Sequence, residues 1–263
     1  MAIMRISFMS EALYRSVDMN VIIPLEALEI PGEAKPRKPS VFKTLYLLNG
    51  YSGNQGDWLM YSNICKLADQ YNLAVVMPAG ENSFYVDGTA RGTHWGRFAG
   101  EEVVEFTRKM FPLSPKREDT FIGGLSMGGF GAVRLGFYYH ENFSKIVSLS
   151  GAFVTDDIAG QSEGYVDEVG DYDYYHHAFG DLNQVKNSPK DPFWCARQAA
   201  AQGNAPEIYM ACGEDDFLIL QNRKAKECME KMGIKMYYLE TPGIHDWNFW
   251  NQHLEPAIQW LLN

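Results

Sequence analysis

Ser126 sits in Gly123-Gly124-Leu125-Ser126-Met127-Gly128-Gly129, between the end of an apolar run (Thr120, Phe121, Ile122) and the start of a helix-like one. A serine between glycines at a strand-to-helix junction is the sequence form of a nucleophile elbow, a sharp turn that pushes the hydroxyl into a site. Glycines flank it because a side chain at either would collide with the neighbouring strand or helix. The chemistry such a serine could do is nucleophilic attack on an acyl carbon. Its hydroxyl is inert at neutral pH unless an imidazole takes the proton and a carboxylate orients that imidazole.

Candidates for both partners follow Ser126 in the order serine, acid, histidine. Of the six histidines, only His245 and His253 come after a plausible acid. His245 lies in Thr241-Pro242-Gly243-Ile244-His245-Asp246-Trp247, a loop just beyond an apolar strand, whereas His253 falls inside the last helical pattern. That favours His245 as the base. The acid comes from Ile208-Tyr209-Met210-Ala211-Cys212-Gly213-Glu214-Asp215-Asp216-Phe217, where a strand ends in glycine and acids follow. The spacing from Gly213 favours Asp216, with Asp215 as the competitor. Asp246 adjoins His245 and is poorly placed to reach its ring.

Acyl transfer also needs donors aimed at the oxyanion that develops on the attacked carbonyl. The backbone N–H of Met127, at the amino end of the helix after Ser126, is one candidate. The loop Leu47-Leu48-Asn49-Gly50-Tyr51-Ser52-Gly53-Asn54 offers the other, with Gly50 allowing close approach and Tyr51 supplying its N–H.

Short apolar runs must position these groups. Strands are predicted at 44–48, 73–77, 120–122, 146–149, 208–211 and 236–239, alternating with helices at 58–70, 101–111, 130–139, 220–232 and 247–262. Such alternation makes a mostly parallel central sheet with helices on both faces, and sites in these sheets lie beyond the carboxyl ends of the strands. Residues 3–8 and 17–23 read as an antiparallel pair at the N-terminal edge. The proline-rich connection Pro31 to Pro39 forbids regular structure. Two stretches fall outside the alternation, 79–100 and 151–203, and both read as long loops walling the pocket. The second is expected to be a lid or pocket wall on one domain spanning 1–263. Trp95, Trp247 and Trp250, with Phe84 and Tyr85, are the aromatic candidates for its lining.

Composition narrows the alternatives. A formal charge of −10 with no basic stripe argues against a nucleic-acid partner. Cys65, Cys195, Cys212 and Cys228 are scattered without a Cys-x-x-Cys pair, and no histidine has a second ligand at metal spacing, so neither a disulfide frame nor a metal is expected. The first ten residues lack a signal-peptide pattern and no apolar run approaches a membrane span, which predicts a cytoplasmic protein with no membrane association. Self-association as a homo-oligomer is compatible with the sequence, which displays no interface.

Taken together, Leu-Leu-Asn-Gly-Tyr-Ser-Gly-Asn, Gly-Gly-Leu-Ser-Met-Gly-Gly-Phe-Gly-Ala, Cys-Gly-Glu-Asp-Asp-Phe-Leu and Gly-Ile-His-Asp-Trp-Asn-Phe-Trp resemble the tributyrin esterase branch of the esterase D group of α/β-hydrolases. The resemblance runs from about Leu45 to the C-terminus in matching order. It implies an α/β-hydrolase fold and a serine carboxylesterase acting on small-molecule esters with short acyl chains of acetyl or butyryl type. Ser126 would be the nucleophile, Asp216 the acid and His245 the base, with Tyr51 and Met127 as oxyanion donors and no cofactor. Two departures stand out. The family's oxyanion loop usually begins with histidine or serine where this chain has Asn49. The S-formylglutathione hydrolases of the same group carry Gly-Leu-Thr-Cys where this chain has Gly50-Tyr51-Ser52-Gly53. Feruloyl or acetyl-sugar ester hydrolysis, S-formylglutathione hydrolysis, acyl transfer to an alcohol and an inactive binding scaffold are the alternatives.

Overall fold

A computed structural model describes residues 1–25 and 39–263; residues 31–38 of the proline-rich connection lie outside them. Eight strands form one sheet: β1 (Ala2–Ser10), β2 (Arg15–Ile23), β3 (Lys43–Leu48), β4 (Leu73–Pro78), β5 (Thr120–Leu125), β6 (Lys145–Leu149), β7 (Glu207–Gly213) and β8 (Met236–Thr241). Their spatial order is β1-β2-β4-β3-β5-β6-β7-β8. β2 runs antiparallel to both β1 and β4, and every other pairing is parallel. This is the α/β-hydrolase architecture with the antiparallel N-terminal edge that the sequence predicts.

The helices in chain order are α1 (Asp57–Tyr61), α2 (Ile64–Gln70), α3 (Trp95–Arg97), α4 (Val103–Met110), α5 (Met127–Tyr138), α6 (Thr155–Ile158), α7 (Tyr172–Phe179), α8 (Pro192–Ala201), α9 (Ile219–Lys231) and α10 (Trp247–Leu262). Alternation along the buried strands divides the core in two, because successive side chains point to opposite faces. Tyr46, Leu48, Ala74, Val76, Ile122, Ile146, Ile208 and Met210 meet the apolar sides of α4, α5, α8 and α9. Leu45, Leu47, Val75, Met77, Phe121, Val147, Tyr209 and Ala211 face Trp58 of α1, α2 and α10. Both faces of the central strands are therefore dry, which is why those strands read as apolar runs. No helix among the described residues is long and apolar enough to cross a membrane.

Local chemistry explains where the elements depart from the sequence pattern. The single helix predicted at 58–70 is broken because Ser62 is extended, its hydroxyl donating to the Trp58 carbonyl at 2.5 Å and accepting from the Ile64 N–H at 3.2 Å. The helix predicted from 101 starts earlier, at Trp95, and runs into α4 through a π-helical turn at Phe98–Glu102. The stretch 151–203 is not a plain loop: it carries α6, α7 and α8, and α8 packs its buried Phe193, Ala196 and Ala199 into the core beside α5.

Candidate active site

β5 delivers Ser126 to the carboxyl edge of the sheet. The serine has φ 54° and ψ −120°, a left-handed conformation that costs a non-glycine residue about 1–3 kcal/mol. Its surroundings hold it there: the Ser126 N–H donates to the Leu149 carbonyl at 2.9 Å, and its carbonyl accepts from Phe130 and Ala152 at 3.0 Å each. The crowding is extreme at Gly124, where an added Cβ would lie 2.4 Å from the Gly128 backbone. Only glycine lets the helix start this close to the strand.

His245 occupies the turn between β8 and α10, and Asp216 the turn after β7. The two turns are zipped together through the Glu214 N–H on the Thr241 carbonyl at 2.9 Å and the Asp215 N–H on the Gly243 carbonyl at 3.0 Å. As a result His245 Nδ1 lies 3.0 and 2.9 Å from the two Asp216 carboxylate oxygens. Its Nε2 lies 3.0 Å from Ser126 Oγ. The carboxylate on the imidazole is that of Asp216; Asp215 is exposed to solvent. Asp246 instead caps α10, accepting from the Phe249 N–H at 2.9 Å.

Asp216 is 2% exposed, so it must be satisfied to stay charged. Burial pushes its carboxyl up. The hydrogen bond and charge of His245, the Leu218 N–H and the Ser150 hydroxyl outweigh that and hold it below the usual carboxylate range. Ser150 also accepts from Trp250 Nε1 at 3.1 Å, which ties the wall of the site to Asp216. The sequence reading missed Ser150; its place at the carboxyl end of β6, next to Gly151, was the available signal. The imidazole of His245 is held between the rings of Phe217, at a centroid separation of 4.6 Å, and Trp250, at 5.0 Å.

Ser126 opens into a cavity of about 300 Å³ lined by Gly50, Tyr51, Asp57, Leu125, Glu168, Val169, Phe217, His245, Trp247 and Trp250. Trp247 is fixed edge-on to both Trp58 and Trp250, at 5.2 and 5.3 Å. Gly50 passes beside Ser126: a Cβ there would be 3.6 Å from the Ser126 Cβ and 2.6 Å from the Leu125 side chain. This puts the Gly50-Tyr51 peptide on one side of Ser126. Met127 follows Ser126 and opens α5, so its N–H has no acceptor within the helix.

Three aromatics proposed for the pocket from sequence are elsewhere. Trp95 does not line this cavity; it packs edge-on against Phe98 at 5.9 Å, beneath the Arg15 guanidinium at 5.1 Å, beside a separate hollow formed with Tyr174 and His177. Phe84 and Tyr85 are wholly buried, Phe84 against Phe130 and Phe179. Among the described residues no cluster of three or more His, Cys, Asp or Glu side chains is placed to hold a metal ion.

His253 is separate from this chemistry. Its Nε2 is 2.9 Å from the Thr241 hydroxyl, its ring packs on Phe249, and burial lowers its pKa below the ordinary value of 6.5. The folded protein thus favours neutral His253, whose stabilising contribution is complete above about pH 6.5 and is lost as pH falls through the lowered folded value. The urea midpoint of the wild type is expected to fall more steeply between pH 7.5 and 5.5 than that of His253→Gln. Parallel pH dependences would show that His253 is not the titrating group.

The family model described as "Putative esterase" matches residues 29–261. An acetyl esterase of Caldicellulosiruptor saccharolyticus is 44% identical over 262 residues, covering 99% of this chain and 98% of its own. The fluorophosphonate-binding serine hydrolase F of Staphylococcus aureus superposes with a TM-score of 0.83 at 27% identity, covering 100% of this chain and 98% of its own. The S-formylglutathione hydrolase of the same organism gives a TM-score of 0.82 at 28% identity, covering 100% and 99%.

Proposed function

Because the chain belongs to this esterase family, and within it to the esterase D group, we propose that it is a serine carboxylesterase that hydrolyses small, uncharged, short-chain acyl esters through an acyl-enzyme on Ser126. The observation that carries the reading is the continuous chain from Ser126 Oγ through His245 to the buried Asp216, at 3.0 and 2.9 Å, opening into the cavity.

Asp216 accepts from His245 Nδ1–H, which fixes the tautomer that leaves the Nε2 lone pair free for the serine proton. Ser126 Oγ attacks the ester carbonyl carbon as its proton passes to Nε2. On this reading the tetrahedral oxyanion is held by the N–H groups of Tyr51 and Met127, donors fixed in the backbone before the reaction begins. Collapse expels the alcohol, which takes the proton from His245. Water then gives a proton to His245 Nε2 as its oxygen attacks the acyl carbon; the bond from that carbon to Ser126 Oγ breaks, the carboxylic acid leaves, and the proton returns to Oγ.

The volume of about 300 Å³ lies at the small end of ligand pockets and supports acetyl or butyryl groups. Asp57 and Glu168 line the cavity, and no lysine or arginine among the described residues joins them. Carboxylates there repel anionic substrates, which weighs against glutathione thioesters. Residues 1–263 form one catalytic domain on this reading, and the 151–203 insertion serves as a pocket wall through Glu168 and Val169. Free thiols at all four cysteines support a cytoplasmic setting.

A substrate panel tests the proposal. Against 4-nitrophenyl acetate, butyrate and octanoate, methyl ferulate, acetylated xylan and S-formylglutathione, kcat/KM is expected to be highest for the acetate or butyrate, by about tenfold or more over octanoate. S-Formylglutathione is expected to trail, and raising the salt concentration should narrow its deficit as screening weakens the repulsion. A maximum on ferulate or on the glutathione thioester would replace the proposed substrate class.

A further inference from the structure

We propose that Asn49, braced by Tyr85, is a positioning residue that locks the Gly50-Tyr51 peptide with its N–H toward the oxyanion; the inference rests on the esterase reading above and assigns a task to the residue that departs from the family pattern.

The Gly50 carbonyl and the Tyr51 N–H belong to one peptide unit, and a trans peptide holds them on opposite sides of its plane. Fixing one end therefore aims the other. The Gly50 oxygen accepts from Asn49 Nδ2 at 2.9 Å and from the Gly53 N–H at 3.2 Å. A rotation of this peptide plane would break both bonds and turn a carbonyl oxygen, not an N–H, toward the developing negative charge.

Asn49 is itself immobilised. It is 1% exposed, and its Oδ1 accepts from the Gly80 N–H at 2.9 Å and from the Tyr85 hydroxyl at 3.0 Å. The same hydroxyl lies 3.1 Å from the Asn49 carbonyl. Tyr85 has no exposed surface and φ 53°, and its carbonyl accepts from the buried Arg134 of α5 at 3.2 Å. Its ring faces Gly131 of the same helix, where an added Cβ would meet it at 2.4 Å. The brace thus runs from the helix behind Ser126, through Tyr85 and Asn49, to the peptide in front of it. A purely structural amide would satisfy buried groups; this one also links, through Tyr85, the two elements that would supply the oxyanion donors.

The test compares Asn49→Ala and Tyr85→Phe with the wild type, per active site titrated with a fluorophosphonate, so that misfolded protein does not count. Each is assayed for 4-nitrophenyl acetate turnover and for inhibition by a trifluoromethyl ketone, whose hemiketal places an oxyanion in the site. Asn49→Ala is expected to lose about a hundredfold in kcat/KM, close to the loss of one oxyanion donor. Tyr85→Phe, which removes only the brace, is expected to lose about tenfold, which is a smaller part of the same effect. In both, the ketone should weaken by the same factor as kcat/KM falls, with kcat changing more than KM. Full turnover per titrated site in Asn49→Ala, or lost turnover with unchanged ketone affinity in either variant, overturns the inference. Failure of the wild type to be titrated at Ser126 would instead overturn the proposed function, and this inference with it.

Discussion

Ser126→Ala is expected to lower kcat on 4-nitrophenyl acetate by about a millionfold, which is the scale seen when a nucleophile acting as one unit with its base is removed. The geometry leaves no substitute. Oγ is the only hydroxyl within reach of His245 Nε2, at 3.0 Å, among the described residues. The structural cost of the change is small, because the strained φ of 54° and the surrounding backbone bonds are as compatible with alanine as with serine. The variant should therefore unfold near the wild-type midpoint and still bind substrate while failing to turn it over. Steady-state assays beside a urea melt check both halves. Retention of more than a small fraction of turnover would remove Ser126 from the mechanism.

Asp216→Asn is expected to lower kcat by about ten-thousandfold with the fold intact. An amide in place of the carboxylate can donate to Nδ1, which stabilises the tautomer with the proton on Nε2, where the serine needs an acceptor. It also withdraws the negative charge that stabilises the imidazolium formed during acylation. Asp215→Asn, one residue away, is the control. That side chain is exposed and only its backbone N–H joins the zipper to Gly243, so activity within about threefold of wild type is expected, as for an ordinary surface change. Equal losses at the two positions would mean that the acidic turn acts through its summed charge and not through one oriented carboxylate.

Why Asp216 and not Asp215 reaches the histidine illustrates what the sequence could carry. Successive residues in a turn point in different directions. The choice is made by the Asp216 N–H on the Gly213 carbonyl and the Leu218 N–H on the Asp216 carboxylate, which depend on the closed shape of the loop. All eight strands, by contrast, were legible, with starts within two residues and ends within three of those observed. β3 to β7 are buried on both faces and announce themselves as apolar runs, and Ser126 is marked by the glycines that its turn requires. α8 was legible too, in retrospect, since Asp191 caps it and Pro192 opens it, a standard helix start. α7 is harder, because Tyr-Asp-Tyr-Tyr-His-His contains weak helix formers and its position depends on packing Tyr175 and Phe179.

The aromatics show the limit most clearly. Trp95 and Trp247 both stand at the start of a helix after a loop, and nothing local separates them. Trp247 enters the cavity because α10 follows directly from the turn that carries His245. Trp95 belongs to the 79–100 stretch, which turns away to pack on Phe98 and Arg15. Asn49 is the reverse case: its departure from the family pattern was visible in the sequence, but its meaning required the contacts to Gly80 and Tyr85.

Intact-protein mass spectrometry with peptide mapping, after brief exposure to a fluorophosphonate, addresses the nucleophile itself. One phosphonyl group on Ser126 is the expected result, formed quickly in the wild type, much more slowly in His245→Ala and not at all in Ser126→Ala. A modification on another residue, or an unmodified protein that still hydrolyses esters, would contradict the account.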